Sequence, residues 1–374
     1  MTAMEETSLV ALDAISKTDD IEIVSQFQAT ILQVRFGRPF LIQDGTHFHY
    51  CLAIDGMKDS ALRNFMGSQF GRMPLLILTP ERGDILGLKN DCPISMPISA
   101  QDTPESLLAL ASSNPSKVNR RPILEQPNAV PALELLAEGQ LLPTCLFFAD
   151  IQNVHSLIEQ GTPVVNREHF KGYKVAKVAS LKRKSEAPIP VRGGIKARMV
   201  VFEYATGETE TALMVANPDR TKPLTIRIHS ACATGDIFGS ERCDCGDQLR
   251  LAIERLDEMD GGAVLYLAQE GRGIGLVNKM RAYDLQDQSL DTVDANHALG
   301  FEDDRRDFAV AAQMIRALGW SDVNLMTNNP KKVDELRENG ITVLERLEHQ
   351  APRNENNTHY LKTKAQRSGH LLDY

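Results

Sequence analysis

The stretch Arg227 to Gln248 reads Arg-Ile-His-Ser-Ala-Cys-Ala-Thr-Gly-Asp-Ile-Phe-Gly-Ser-Glu-Arg-Cys-Asp-Cys-Gly-Asp-Gln and holds three of the chain's six cysteines. Thiolates at Cys232, Cys243 and Cys245 suit a soft, tetrahedral metal such as zinc. No fourth Cys or His follows Cys245 at finger-like spacing. A structural zinc site closes its shell with four protein ligands, whereas a catalytic one leaves a position open. The three cysteines therefore read as ligands of an open zinc site. His229, three residues before Cys232, is the alternative fourth ligand of a closed site.

Outward from this stretch, strands and helices alternate. Met199–Tyr204, Thr211–Ala216 and Leu224–Ile228 read as strands, the first two joined by an Ala-Thr-Gly turn. Leu249, Ala252, Ile253 and Leu256 recur at helical spacing, and Gly261-Gly262 ends that helix. Ala263–Ala268 is a buried-strand candidate. Gln269-Glu-Gly-Arg-Gly-Ile-Gly-Leu276 is a glycine-rich turn into a helix running through Tyr283. Phe308, Ala311, Ala312 and Ile315 mark a further helix closed by Gly319, and Val323–Met326 is a strand. Asn328-Asn329-Pro330 then supplies a cap and a first-turn proline. The expected fold is α/β, a mixed sheet with helices whose loops gather at one edge, preceded by a separate α+β domain.

Polar residues near the strand ends are not explained by a core. A single cation there is ordinarily surface decoration, but Arg227, Arg272 and Lys332 together, beside glycines and a metal motif, fit a polyphosphate. The glycines at 271, 273 and 275 lack dinucleotide-fold spacing, yet they let backbone amides approach an anion. Thr292 and Thr327 add neutral donors. Gln248 and Glu270 are candidates to read a purine edge, since a carboxylate accepts the paired N–H donors of guanine.

The first half says less. Phe40-Leu41-Ile42 and Phe48–Ile54 read as strands joined at Asp44-Gly45, Ser60–Phe70 as a helix and Pro74–Thr79 as a strand. Leu78-Thr-Pro-Glu-Arg-Gly-Asp-Ile-Leu-Gly-Leu88 resembles part of 3,4-dihydroxy-2-butanone 4-phosphate synthase. That family's acidic metal-binding run is missing, because Gly45-Thr46-His47 follow Asp44, and so is its His-Thr-Glu motif. The resemblance implies a degenerate relative without the synthase chemistry. His47 and His49 alternate on one strand and share a face, as a metal pair or, the reading preferred, as exposed or satisfied histidines. Lysines in 170–184 and the prolines and glycines of 185–194 read as a connector. The expected division is 1–175, a linker at 176–194, and 195–374.

With 374 residues, 42% hydrophobic and 24% charged, the chain has the length of two domains and ordinary soluble composition. Its start lacks a signal-peptide pattern, and no apolar stretch is long enough for a bilayer. The cysteine pattern is not a disulfide framework, so a cytoplasmic location is expected, with no membrane partner. A net charge of −9 argues against a nucleic-acid binder.

Several motifs together carry a closer resemblance. Arg227–Gly246, Gln269–Leu276, Asn278–Gln288, Asp291–Phe301, Leu325–Val333 and Asn357-Thr-His-Tyr-Leu-Lys-Thr-Lys364 resemble, in order, the GTP cyclohydrolase II family over about 190–372. The resemblance implies opening of the imidazole ring of GTP, with loss of C8 as formate and of the terminal phosphates as diphosphate. The product, 2,5-diamino-6-hydroxy-4-(5-phosphoribosylamino)pyrimidine, begins riboflavin synthesis. A water activated by zinc attacks C8, magnesium accompanies the triphosphate, and a homodimer is the expected assembly. The residues implied for GTP are Arg227, Ile228, His229, Ser230, Ala231, Gln248, Glu270, Gly271, Arg272, Thr292, Thr327 and Lys332.

Asp304 is implied as proton acceptor and Arg306 as nucleophile at the α-phosphate. A guanidinium stays protonated, so stabilising phosphoryl charge is the easier role for Arg306. Glu302–Asp307 would otherwise read as an exposed charge run. Tyr283 is a candidate to position the water or the opened ring, with a core tyrosine as the alternative. Ala231 departs from the family, which often has Glu there; backbone contact alone would leave function unchanged. Two other classes are weighed: a regulatory module that binds GTP without turnover needs no Asp304, and an interaction protein with structural zinc needs neither Glu270 nor Lys332.

Overall fold

In the computed structural model, which describes residues 17–68, 70–88, 90–117, 124–259 and 261–350, the hairpin expected around Asp44-Gly45 is present. Strands β1 (Phe40–Asp44) and β2 (His47–Ala53) pair antiparallel, with Asp44 opposite His47. Gly45 takes φ 59°, the left-handed conformation that a tight turn requires. The chain divides into two units: residues up to Ala179 with Ala298–Phe301, and Ser180–His297 with the residues from Glu302 onward. The Asn357–Lys364 motif lies outside the described residues.

The first unit is built on a seven-stranded sheet in the order β5-β4-β3-β6-β2-β1-β7. Its further strands are β3 (Leu75–Leu78), β4 (Ile94–Pro97), β5 (Leu124–Glu125), β6 (Cys145–Phe148) and β7 (Val164–Asn166). Only β1 and β7 pair parallel among these strands, so the sheet is mixed. Successive side chains of a strand face opposite ways, which separates Phe40 and Ile42 from Leu41. The former join Val24, Phe27 and Ile31 of helix α1 (Lys17–Arg35) and Tyr173 of a later helix in one core. Leu41 joins Leu62 and Phe65 of α2 (Asp59–Met66) in the other. Helix α2 ends at Met66, four residues before the expected end at Phe70, with Gly67 as its cap. The helix α3 (Pro80–Ile85) starts within the segment read as synthase-like, capped by the Thr79 hydroxyl. Then follow α4 (Pro104–Ser112), α5 (Val130–Glu138), α6 (His155–Glu159) and α7 (His169–Ala179). His47 is exposed and bonds the Asp150 carboxylate, while buried His49 accepts the Asp150 N–H at 3.1 Å. His47 is thus exposed and paired, as expected, whereas His49 is only half satisfied, because its Nε2 is buried without a hydrogen-bond partner.

The second unit carries a sheet in the order β14-β13-β11-β12-β10-β9-β8. One expectation is corrected here. Residues expected as a linker form β8 (Lys182–Val191), paired along its length with β9 (Ile195–Glu203). An edge strand tolerates Pro188 and Pro190, because one side of its backbone has no ladder to serve. Its charged side chains face solvent, which is why it reads as a connector.

β10 (Thr209–Val215) continues the antiparallel part, whereas β11 (Leu224–Ser230), β12 (Gly262–Leu267), β13 (Asp322–Met326) and β14 (Thr342–Leu347) run parallel. Parallel strands emerge at one edge, where open α/β sheets place their ligands. The helices are α8 (Cys245–Glu258), α9 (Gly275–Asp287), α10 (Thr292–Ala298), α11 (Ala309–Leu318) and α12 (Pro330–Glu338). Gly319 ends α11 at φ 91°, and the Asn329 side chain caps α12 by accepting from the Lys331 N–H.

Candidate active site

Beyond β11 the chain makes a five-residue π-type turn, Ala233–Ile237, and then enters α8 at Cys245. This path brings Cys232, Cys243 and Cys245 together, their sulfurs all within 4.8 Å of one another. Cys232 Sγ and Cys243 Sγ are 3.6 Å apart, against about 3.8 Å for two sulfurs bound tetrahedrally at roughly 2.3 Å. Hydrogen bonds from the neighbouring thiols and Lys279 hold Cys232 well below the ordinary thiol range, whereas the charged Cys232 beside it pushes Cys243 up. Cys232 is thus the sulfur held ready for a thiophilic cation, while Cys243 would give up its proton only as the cation binds. His229 does not join it. Its Nε2 faces both oxygens of Asp236 at 3.1 Å, and its ring stacks on Tyr266. Burial lowers its pKa and outweighs the Asp236 carboxylate, so it is a neutral imidazole. Asp236 also accepts from Cys232 N–H at 2.9 Å and Tyr266 O–H at 3.0 Å.

The cysteine loop closes because two glycines touch. A Cβ on Gly246 would overlap the carbonyl oxygen of Gly235, and one on Gly235 would stand 3.0 Å from Cys243 Sγ. Gly246→Ala is therefore expected to cost about 1–3 kcal/mol, the usual range for overpacking, and to lower metal uptake. A thermal melt and metal content matching the parent would contradict this packing.

One pocket is lined by Arg227, Ile228, His229, Ser230, Ala231, the three cysteines, Gln248, Glu270, Gly271, Arg272, Tyr283, Arg306, Thr327 and Lys332. Asp304 and Thr292 do not line it; Thr292 opens α10. Asp304 reaches the pocket through Arg306, whose Nε donates to its carboxylate at 2.8 Å and whose backbone N–H does so at 3.1 Å. Burial alone would raise the Asp304 carboxyl, but the bonds and charge of Arg306, with Arg272, hold it below the usual range. Arg227 is buried, which lowers its guanidinium to about 10 and leaves it charged at neutral pH. It donates to Met326 O and to the Gln248 side chain. Lys332 Nζ donates to Ile228 O at 3.0 Å and lies 5.0 Å from the Phe308 ring centre. Gly271 and Arg272 both take left-handed φ near 60° (62° and 60°), and Arg272 O accepts from Arg305 N–H.

Other residues, in the pocket wall or just behind it as Asp236 is, carry no signal of their role in the sequence. Lys279 on α9 and Asp236 fall within the quoted motifs, but a helical lysine reads as solvated and a loop aspartate as a turn former. Lys279 is 8% exposed. Burial would lower its ammonium, yet hydrogen bonds to Glu270 and Cys232 raise it above the ordinary lysine range. Glu270 has both oxygens engaged, Oε1 by Lys279 and Gly271 N–H and Oε2 by Ala233 N–H. His349 lines the pocket with Nε2 2.8 Å from Gln248 O. Burial and Arg227 lower it to about 3. Asp244, Gln269, Asn328 and Asn329 complete the wall.

Comparison with known proteins adds a family. The model described as GTP cyclohydrolase II matches residues 182–348. A GTP cyclohydrolase-2 of Azospirillum brasilense is 38% identical over 319 residues, covering 81% of this chain and 82% of that protein. Those of Shigella boydii serotype 18 and Escherichia coli O45:K1 are each 50% identical over 193 residues, 52% of this chain and 98% of theirs.

Proposed function

The chain belongs to the GTP cyclohydrolase II family, and from that premise we propose that it opens GTP in a zinc-dependent reaction releasing formate and diphosphate, the first step of riboflavin synthesis. The observation that carries this reading is the joining of a three-thiolate cluster to a pocket lined by Arg227, Arg272, Arg306 and Lys332. A chain with a formal net charge of −9 gathers these four cations, with Lys279 beside them, where a triphosphate would enter, with magnesium as its companion ion. Zinc held by Cys232, Cys243 and Cys245 would supply a Lewis acid that lowers the pKa of a water at neutral pH.

The protein's own groups divide the remaining work. Arg306 and Arg272 stabilise charge on the phosphates. Asp304, kept ionised by Arg306, takes up a proton. Arg227 and Lys332 fix the ends of β11 and β13 through backbone carbonyls while holding positive charge in the pocket. Tyr283, its ring under the Arg242 guanidinium at 4.3 Å, bounds the side towards α9. Incubating the purified chain with GTP and magnesium should yield formate and diphosphate in equal amounts. Diphosphate alone, or neither product, would overturn the proposal.

Lys332→Ala should weaken GTP binding about 10–100-fold, as expected for loss of a hydrogen bond to a charged group, and guanosine binding far less. Equal losses for both ligands in a titration would remove the phosphate role. The first unit, proposed as a degenerate synthase relative, should not convert ribulose 5-phosphate; turnover of that sugar by the full chain would reverse this reading. A cytoplasmic location and a homodimer complete the proposal, the homodimer supported by the exposure of Ile237, Phe238, Leu276, Val277 and Met280.

A further inference from the structure

Lys279 spends its ammonium in an unusual way. Its Nζ donates to Cys232 Sγ at 3.1 Å, Thr234 Oγ1 at 2.9 Å and Glu270 Oε1 at 2.8 Å. A lysine has three N–H donors, so each finds an acceptor. Two acceptors belong to the loop that carries the cysteines, and the third to the glycine-rich turn. Gly271 permits the approach, since a Cβ there would stand 3.1 Å from Lys279 Cβ. Glu270 closes the circuit by accepting from Ala233 N–H at 2.6 Å.

A lysine needed only for packing or charge balance would be satisfied by Glu270. The sulfur contact asks for a different reason. Three thiolates exceed the charge of a divalent ion by one and make it a weak Lewis acid. A charged N–H donor on one sulfur draws electron density from it and restores acidity to the metal, as outer-shell partners of metal ligands do. We propose that Lys279 is a positioning residue that tunes the Cys232 sulfur through this hydrogen bond and locks the cysteine loop to Glu270. The proposal rests on reading the three cysteines as a metal site.

Cobalt(II) substitution of the full chain tests it, because the sulfur-to-cobalt charge-transfer band reports sulfur electron density directly. The parent, Lys279→Met and Lys279→Arg should each bind about one cobalt per chain. The Met variant's band should move to longer wavelength, because its sulfur is uncapped, and the Arg variant's should stay near the parent. With zinc, kcat for formate release should fall about 10–100-fold in the Met variant, the usual effect of losing an outer-shell partner, with a smaller change in KM for GTP. A Met-variant band at the parental wavelength would overturn the proposal, as would an Arg variant shifted equally far. A parent that takes up no cobalt would instead overturn the metal reading itself.

Discussion

Cys243→Ser is expected to strip the metal and lower formate release by at least about a thousandfold, while the protein stays folded. The magnitude follows from what is lost: bound zinc would lower the pKa of a water to about 7, and no side chain of the pocket replaces that. The fold should persist because the second unit has its own core, including Val215, Ala252, Leu256, Val264 and Met326. Small zinc modules lack such a core and unfold without metal. Diphosphate release should survive in part, since phosphoryl charge rests on Arg306 and its neighbours. Zinc content, a thermal melt and both product assays on this variant decide the point. Unfolding of the second unit, with both activities lost together, would mean a closed structural site.

Arg306→Met should lower diphosphate release about 10²–10³-fold, the usual cost of removing one preorganised donor from developing charge. It should also change the pH profile. Asp304 is held below the usual carboxylate range because Arg306, aided by Arg272, outweighs burial. Its stabilising contribution is therefore present above the unfolded-state pKa and lost as pH falls through the folded one. Without Arg306, burial dominates and the carboxyl rises. The acid limb of residual formate release should then move to higher pH than in the parent. A pH–rate profile with its acid limb unmoved would show that Asp304 is not the proton acceptor, or that Arg306 does not set its charge.

Much of the second unit is legible in the sequence because its inner parallel strands, β11, β12 and the end of β13, are buried on both faces, unlike the edge strand β14. Ala263–Leu267 and Leu325-Met326 read as apolar runs, and the Asn329 cap and Gly319 stop mark helix ends locally. The cysteine cluster is legible for a similar reason: its ligands fall within fourteen residues. Strand β8 is not, because its lysines and prolines are those of a connector, and only pairing with β9 and an edge position make it a strand. Helix α1 buries a narrow stripe, Val24, Phe27, Ile31 and Val34, among polar neighbours. His349 carries no local signal at all. Reciprocal hydrogen bonds of 3.0 Å with Asn328, twenty-one residues away, place it in the pocket wall. Lys279 shows the limit most sharply, since the burial that gives it a role comes from contacts 9 and 47 residues distant.

Ring opening at C8 of GTP by a metal-dependent site can be followed with labelled substrate. GTP carrying carbon-13 at C8, incubated with the purified zinc-loaded chain and magnesium, can be followed by carbon NMR. The label should leave the purine and appear as formate in step with diphosphate, and Cys243→Ser should leave it in the ring. Label retained in an intact purine while the parent releases phosphate or diphosphate would contradict ring opening at C8.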